Sequence, residues 1–218
     1  MPGTLANSGW QTVSWQGTNL TDFAKQYGTP VPSRAGSPLV DVLIPMDPEA
    51  APKQSISAGA GLSAFPWHTD GAHWRIPPRF IVMRLAPGAA TLTPTRLLTI
   101  DRLGLGEDLT VELRRTILIV SSGRGAFLAP LLQSRPSLGF DTIRFDRRVM
   151  RPRLKKSVGA LDALEESLSR SDPEAVYWDP GSVLVLDNWR AVHMRDAVPD
   201  EERSTRKMER VLVMADAA

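Results

Sequence analysis

Short apolar runs, each closed off by a turn signal, set the strongest limit on how this chain can fold. RFIVMRL at 79–85 ends at Pro87-Gly88, and TILIVS at 116–121 runs into Gly123. GSVLVL at 181–186 leads into Asp187-Asn188, and RVLVM follows at 210–214. Such runs are rich in β-branched and aliphatic residues and too short to be helices with a buried face, so they read as strands. VDVLIP at 40–45 and the alternating DTIRF at 141–145 read the same way, and 126–132 is expected to pair with TILIVS across the Gly123–Gly125 turn. Helical spacing recurs at Leu20, Phe23, Ala24 and Tyr27 before Gly28, and at Val158, Leu161, Leu164 and Leu168 within 155–170. Leu109–Glu112 is compatible with a strand or a helix. Residues 46–66 carry Pro, Ala, Gly and Ser without a period and read as a long surface loop. Residues 1–17 read as an N-terminal arm or a first short strand, and Pro30 and Pro32 as breaks. Many short strands and two clear helices predict a mainly β protein with helical additions, a sandwich or a barrel.

The length of 218 residues suits a single domain with a sizeable core. With 26 basic against 24 acidic residues the surface is not polycationic, so neither nucleic acid nor a membrane is an expected partner. Cysteine is absent, which excludes disulfides, thiolate metal sites, iron–sulfur clusters and cysteine nucleophiles. Met1–Gly17 has no apolar core of a signal peptide, and no run reaches membrane-spanning length, so the expected compartment is the cytoplasm.

Against that background, the informative chemistry lies in His68-Thr69-Asp70 and the distant His193. On an extended segment, residues two apart share a face about 7 Å apart along the chain, so His68 and Asp70 can reach one ion while Thr69 points away. Gly71 follows directly and leaves room beside them. His193 follows the GSVLVL run and can bring a third donor from an adjacent strand. Two imidazoles and one carboxylate cap one face of an octahedral Fe(II) and leave the other face open. The remaining histidine, His73, is a candidate pocket residue and the first substitute if His68 does not ligate. Taken alone, a His-x-Asp pair more often marks a surface pair or a buried hydrogen bond.

The ordered set WHTDGAHWRIPPRF, GAATLTPT, GSVLVLDNWRAVHMR and RSTRKMERVLV resembles the taurine dioxygenase-like (TauD/TfdA) branch of the Fe(II)/2-oxoglutarate-dependent oxygenases. LTDFAKQYGTPVP also resembles that family's N-terminal helix, so the resemblance runs from about Leu20 to Met214. It implies a double-stranded β-helix, the clavaminate synthase-like jelly roll. It also implies hydroxylation of an unactivated C–H with Fe(II), 2-oxoglutarate and O2, releasing succinate and CO2. Position by position, His68, Asp70 and His193 would be the catalytic metal ligands. Thr91 falls where the family hydrogen-bonds the 2-oxoglutarate carboxylate. Arg206 would pair with its distal carboxylate, and Arg210 would share that carboxylate or face the substrate. A planar guanidinium recognises a carboxylate through two bonds at once. Arg195 matches the family's His-x-Arg, with a salt bridge to Asp187 or Asp196 as the plainer reading, and Asn188 reads as structural.

Trp67, His73, Trp74 and Arg75 flank the metal motif and, with Arg210, are candidates for the substrate pocket. A small amphipathic acid, such as an amino acid or a natural-product intermediate, would suit them. Arg79 and Arg84 read as solvated. The segment between Thr91 and His193 is compact, which implies a reduced lid and leaves closure by a partner subunit, hence a homo-oligomer, open. Asp70 argues against halogenation, which needs a small residue there. Two rivals stand beside this reading. One is a cupin-like metal-binding or sugar-binding barrel without oxygenase chemistry, which needs neither Thr91 nor Arg206. The other is a protein or nucleic-acid hydroxylase on the same scaffold, for which the basic stretch 147–156 would track phosphates.

Overall fold

The computed structural model describes residues 4–51, 57–123 and 125–216. The strands are β1 Trp10–Ser14, β2 Thr29–Val31, β3 Val40–Leu43, β4 Phe80–Leu85, β5 Thr95–Thr99, β6 Ile117–Ser122 and β7 Gly125–Pro130. They continue with β8 Leu132–Arg135, β9 Phe140–Ile143, β10 Met150–Pro152, β11 Glu174–Val176, β12 Ser182–Asp187, β13 Ala191–Arg195 and β14 Met208–Met214. The helices are α1 Leu5–Ser8, α2 Leu20–Ala24, α3 Ser57–Ala60, α4 Glu107–Arg115 and α5 Lys156–Arg170. The expected mainly β class is what the chain adopts, and every pairing between strands is antiparallel.

The largest sheet runs β1-β12-β4-β14-β2, with β3 pairing the first half of β14 and β2 the second. The strands at its centre are apolar on both sides because both faces are covered. Leu184 and Leu186 of β12 enter one core with Ile81, Met83, Leu97, Ala191 and Leu212. Val183 and Val185 point the other way and meet Val82, Val211 and Val213 under Leu20, Phe23 and Ala24 of α2. The first of these cores separates the large sheet from a smaller one, β11-β5-β13. Leu98 and Val192, on the far face of that smaller sheet, join a third core with Leu118, Val120, Met150 and the apolar stripe of α5 (Ala160, Leu161, Leu164, Leu168). Each sheet is thus sandwiched, which is how a chain of short strands removes its apolar faces from water.

Several expectations need correction. Of the two expectations for 1–17, the short strand holds for Trp10–Ser14, which pairs along β12; residues 1–3 lie outside the described residues. Pro30 sits inside β2, where an edge position tolerates its missing donor. The loop 46–66 holds the short α3, and its residues 52–56 lie outside the described set, as does Arg124 in the expected Gly123–Gly125 turn. Leu109–Glu112 is helical. Strands β5, β10 and β11 were not expected at all. Arg79 and Arg84 are not solvated: Arg79 pairs with Asp187 and packs over Phe80 and Trp189, and Arg84 pairs with Glu209 and reaches the carbonyls of Gly17 and Thr18. Gly28 closes the α2 turn at φ 138°, where a Cβ would lie 2.2 Å from the Met214 carbonyl oxygen, so only glycine fits.

Leu184, 1% exposed between the two sheets, is the position whose truncation tests this packing. Leu184→Ala is expected to cost about 2–5 kcal/mol in urea unfolding. Leu128→Ala, at a position 53% exposed, is expected to change stability by no more than about 0.5 kcal/mol.

Candidate metal centre

Residues 65–70 run beside β13 as an irregular extension of the smaller sheet. The Phe65 N–H donates to Arg195 O (2.8 Å), and His68 and His193 exchange both backbone hydrogen bonds (3.0 and 2.9 Å). The other side of the segment is tied to 145–146: Thr69 N–H donates to Phe145 O, and Phe145 N–H donates to the Thr69 hydroxyl. Thr69 therefore points away from the ion side, as expected. His68 forms a bridge pair and not part of a regular strand, and the chain turns at Asp70. Gly71 (φ 66°) makes that turn, and a Cβ there would meet Pro78 Cδ at 2.6 Å.

The turn is pinned by Asn188, which is fully buried. Its side-chain carbonyl accepts from Asp70 N–H (2.8 Å), and its amide donates to the carbonyls of Asp70 and Pro78 (2.9 Å each). Asn188 is thus structural, in agreement with its sequence reading. Arg144 braces the next residues, donating to the carbonyls of Ala72, Trp74 and Arg75.

His68, Asp70 and His193 come together: one donor atom from each lies within 4.8 Å of the others, and all three residues are buried. His68 Nε2 is 3.8 Å from Asp70 Oδ1, and the two imidazole rings are 4.3 Å apart. The His68 Nδ1 is held at 2.9 Å by the Pro66 carbonyl, which leaves Nε2 to face the cluster. Burial, with the His68 ring beside it, pushes the His193 imidazole down to about 3. Its Nδ1 is buried with no hydrogen-bond partner among the described residues. Burial alone would raise the Asp70 carboxyl, but the Arg210 guanidinium and the two imidazoles outweigh it and hold the pKa below the usual range. Two imidazoles, that of His193 neutral with an orphaned ring nitrogen, and one ionised carboxylate form a donor set that fits a divalent ion such as Fe(II).

Arg210 touches the cluster, whereas Arg206 is held by a separate set of partners. Arg210 Nη1 donates to both Asp70 oxygens at 3.0 Å, and its Nη2 pairs with Asp41 at 2.7 Å. Asp41 accepts in turn from the Ser33 hydroxyl (2.6 Å). Arg206 is 4% exposed and makes no ion pair among the described residues; its Nη1 donates to Thr91 Oγ1 (2.9 Å) and to the Thr93 carbonyl (2.8 Å). Burial lowers its pKa to about 10, against the opposing pull of Glu202. The Thr91 hydroxyl gives its own proton to Glu202, whose carboxylate also accepts from Leu92 N–H, Thr93 N–H and the Thr93 hydroxyl.

The remaining candidates lie outside the ligand cluster. Trp67 packs on the third core and Trp74 on the first, and the Trp74 indole N–H donates to His73 Nε2 (3.0 Å), so His73 is not in the cluster. Arg75 lies over the Phe127 ring at 5.4 Å. Arg195 pairs with neither Asp187 nor Asp196 as a salt bridge: it donates to the carbonyls of Gly61, Ser63 and Asp196 and stacks on Phe65, while the Asp196 carboxylate is taken by Arg96. Within the basic stretch, Arg147 is paired with Asp162 and Glu165, and Arg148 with Asp146. Asp41, Glu202 and Arg144 were not anticipated. The signal for Asp41 was a lone charge inside the apolar run VDVLIP, which calls for a partner on the neighbouring strand; register places it opposite Arg210.

No family model and no curated protein sequence matches the chain. Solved structures of non-heme iron oxygenases share its fold. The non-heme iron oxygenase OrfP in complex with Fe, succinate and (3S)-hydroxy-L-Arg aligns with a TM-score of 0.70 at 21% identity, over 89% of this chain and 65% of that one. OrfP with Fe and alpha-ketoglutaric acid aligns at 0.68 and 22%, over 89% and 63%. An asparagine oxygenase in complex with Fe(II), 2S,3S-3-hydroxyasparagine and succinate aligns at 0.70 and 18%, over 88% and 62%. The chain spans less than two thirds of the length of each. The architecture of this protein is therefore that of the non-heme iron oxygenases.

Proposed function

We propose that the protein is an Fe(II)- and 2-oxoglutarate-dependent dioxygenase on a double-stranded β-helix domain covering residues 1–218. It would hydroxylate an unactivated C–H of a small amphipathic acid, such as an amino acid or a natural-product intermediate. The observation that carries this reading is the convergence of buried His68, Asp70 and His193, with the half-buried Arg210 bound to Asp70. The iron, succinate, alpha-ketoglutaric acid and hydroxylated amino acids bound to the similar structures support it.

Fe(II) and 2-oxoglutarate, when bound, supply the oxygen activation and the oxidising power, and succinate and CO2 leave as co-products. The chain supplies position and electrostatics. His68 and His193 are imidazole donors whose backbones are locked to each other, and Asp70 is an ionised donor oriented by Asn188 from behind. Arg206 is the anchor for the distal carboxylate of 2-oxoglutarate, because of the two arginines it is the one without an ion pair among the described residues. Thr91 aims it by accepting from Nη1, and would donate to the same carboxylate only when Glu202 turns away. Arg210 sits against Asp70 and faces the carboxylate of the acid substrate. His73 and Trp74, directly after the metal turn, form one wall of its mouth.

A second reading, a metal-binding barrel without oxygenase chemistry, draws on one observation: Glu202 already takes the Thr91 proton. The deciding experiment adds Fe(II) anaerobically to the apoprotein, then 2-oxoglutarate, and records the visible spectrum. A weak metal-to-ligand charge-transfer band is expected. Its absence, with iron shown to be bound, would favour the second reading. Asp70→Ala should abolish both the band and turnover measured as succinate release; full retained activity would remove Asp70 from the ligand set. Arg206→Ala should raise the 2-oxoglutarate requirement about tenfold or more while Arg210→Ala raises that of the substrate. The reverse pattern would exchange the two roles.

A further inference from the structure

Three arginines line one cleft that has no carboxylate among the described residues of its walls. The cleft, about 100 Å3 in volume, is lined by Arg75, Arg135 and Arg144 together with Gln133, Thr142 and Trp189. Elsewhere many arginines are paired with acids, Arg79, Arg84, Arg96, Arg114, Arg148, Arg190 and Arg210 each holding a carboxylate, while buried Arg195 and Arg206 are held by neutral oxygens. Among the described residues, Arg75, Arg135 and Arg144 make no ion pair. Like charges gathered without a counter-ion repel one another, so the arrangement calls for an anion from outside the chain.

The hairpin of β8 and β9 explains why the cleft stays free of acid. Its register sets Gln133 opposite Thr142, Ser134 opposite Asp141 and Arg135 opposite Phe140. Side chains alternate across a sheet, so Gln133, Arg135 and Thr142 share the cleft face and Asp141 lies on the other, where Arg114 holds it at 2.7 Å. Arg144 is anchored by three backbone carbonyls, which fix its plane and leave its charge uncompensated. Burial brings its pKa down to about 10, still cationic at neutral pH. Arg75 and Arg144 each lie 5.4 Å from the Phe127 ring centre, and Arg135 lies 5.9 Å from that of Trp189. Aromatic faces steady guanidinium groups without neutralising them. Arg135 also donates to the Gln133 side-chain carbonyl (3.1 Å).

We propose that this cleft is a binding site for a phosphate group, and in particular for that of an organic phosphate monoester. Three arginine forks suit an oxyanion of about −1.5 to −2 charge better than a singly charged carboxylate. The volume admits the phosphate alone, so an ester's organic part lies outside it. Trp189 and Ile76, the latter 63% exposed, offer that part an apolar rim. None of His68, Asp70 and His193 lines the cleft, so the site is separate from the metal centre and its existence does not depend on the oxygenase reading. The two are joined through Arg144, which holds the carbonyls of the residues that follow Asp70.

The test is isothermal titration of the full chain with phenyl phosphate, inorganic phosphate and benzoate. The variants are Arg135→Gln, on the exposed hairpin, and Arg153→Gln, an exposed arginine outside the cleft that makes no ion pair. Phenyl phosphate is expected to bind, to weaken about tenfold or more in Arg135→Gln, and to be unchanged in Arg153→Gln. Benzoate is expected to bind at least about tenfold more weakly than phenyl phosphate. Inorganic phosphate that binds as tightly as phenyl phosphate supports the phosphate site and names the free ion as its source; weaker binding names the ester. No binding of either phosphate overturns the proposal. So does equal weakening in both variants, unchanged binding in Arg135→Gln, or benzoate binding as tightly as phenyl phosphate. A circular dichroism spectrum of Arg135→Gln that matches the parent separates loss of the site from loss of the fold.

Discussion

The reciprocal backbone hydrogen bonds between His68 and His193 are the contact on which the rest of the site depends. They join an irregular segment to the edge of a small sheet and set both histidines on one bridge pair. A bridge of this kind fixes the Cα positions but not the direction of the chain beyond it. Asn188 supplies that direction, because it binds both the N–H and the C=O of Asp70. Its own position at the end of β12 ties the metal turn to the large sheet, and β13 ties it to the small one. The cluster is therefore held from both layers of the sandwich, which is what a ligand set needs if its geometry is to survive the exchange of ion or substrate.

The strands legible in the sequence are those buried on both faces. β4, β6, β12 and β14 read as unbroken apolar runs because covering both sheet faces removes the need for polar alternation. TRLLT, which forms β5, was missed for the opposite reason. Thr95 and Thr99 are buried polar residues, and Pro94 stands directly before the strand, so neither alternation nor an apolar run announces it. α4 was ambiguous because Thr110 and Val111 favour strands. Its end charges, Glu107 and Asp108 at the start and Arg114 and Arg115 at the finish, match the helix dipole and would have decided the matter.

The candidate donors His68 and Asp70 were legible because their spacing is local, and His193 because histidine is scarce in this chain. The partners that tune them were not. Asp41 reaches Arg210 through the pairing of β3 with β14, and Glu202 reaches Thr91 across more than a hundred residues. Such contacts depend on strand register and on the path of the loop after β13, which no local pattern encodes. Arg79, Arg84 and Arg195 were misjudged for a related reason. A long side chain that begins at a strand edge can lay its stem on an aromatic ring and its head on backbone carbonyls, and sequence spacing says nothing about which it finds.

The contrast between Arg206 and Arg210 suggests an order of events at the proposed site. Without an ion, Arg210 is the counter-charge of Asp70 and is shared with Asp41, so two carboxylates already satisfy it. An acid approaching Arg210 in that state would add a third negative charge around one guanidinium. Once Asp70 shares its charge with a divalent cation, Arg210 keeps Asp41 alone as a full counter-charge and gains capacity for another anion. Arg206 needs no such release, because its neighbours Thr91 and the Thr93 carbonyl are neutral and Glu202 acts on it without a direct ion pair. The electrostatics thus favour ion first, with the acid that meets Arg206 independent of it and the acid that meets Arg210 dependent on it.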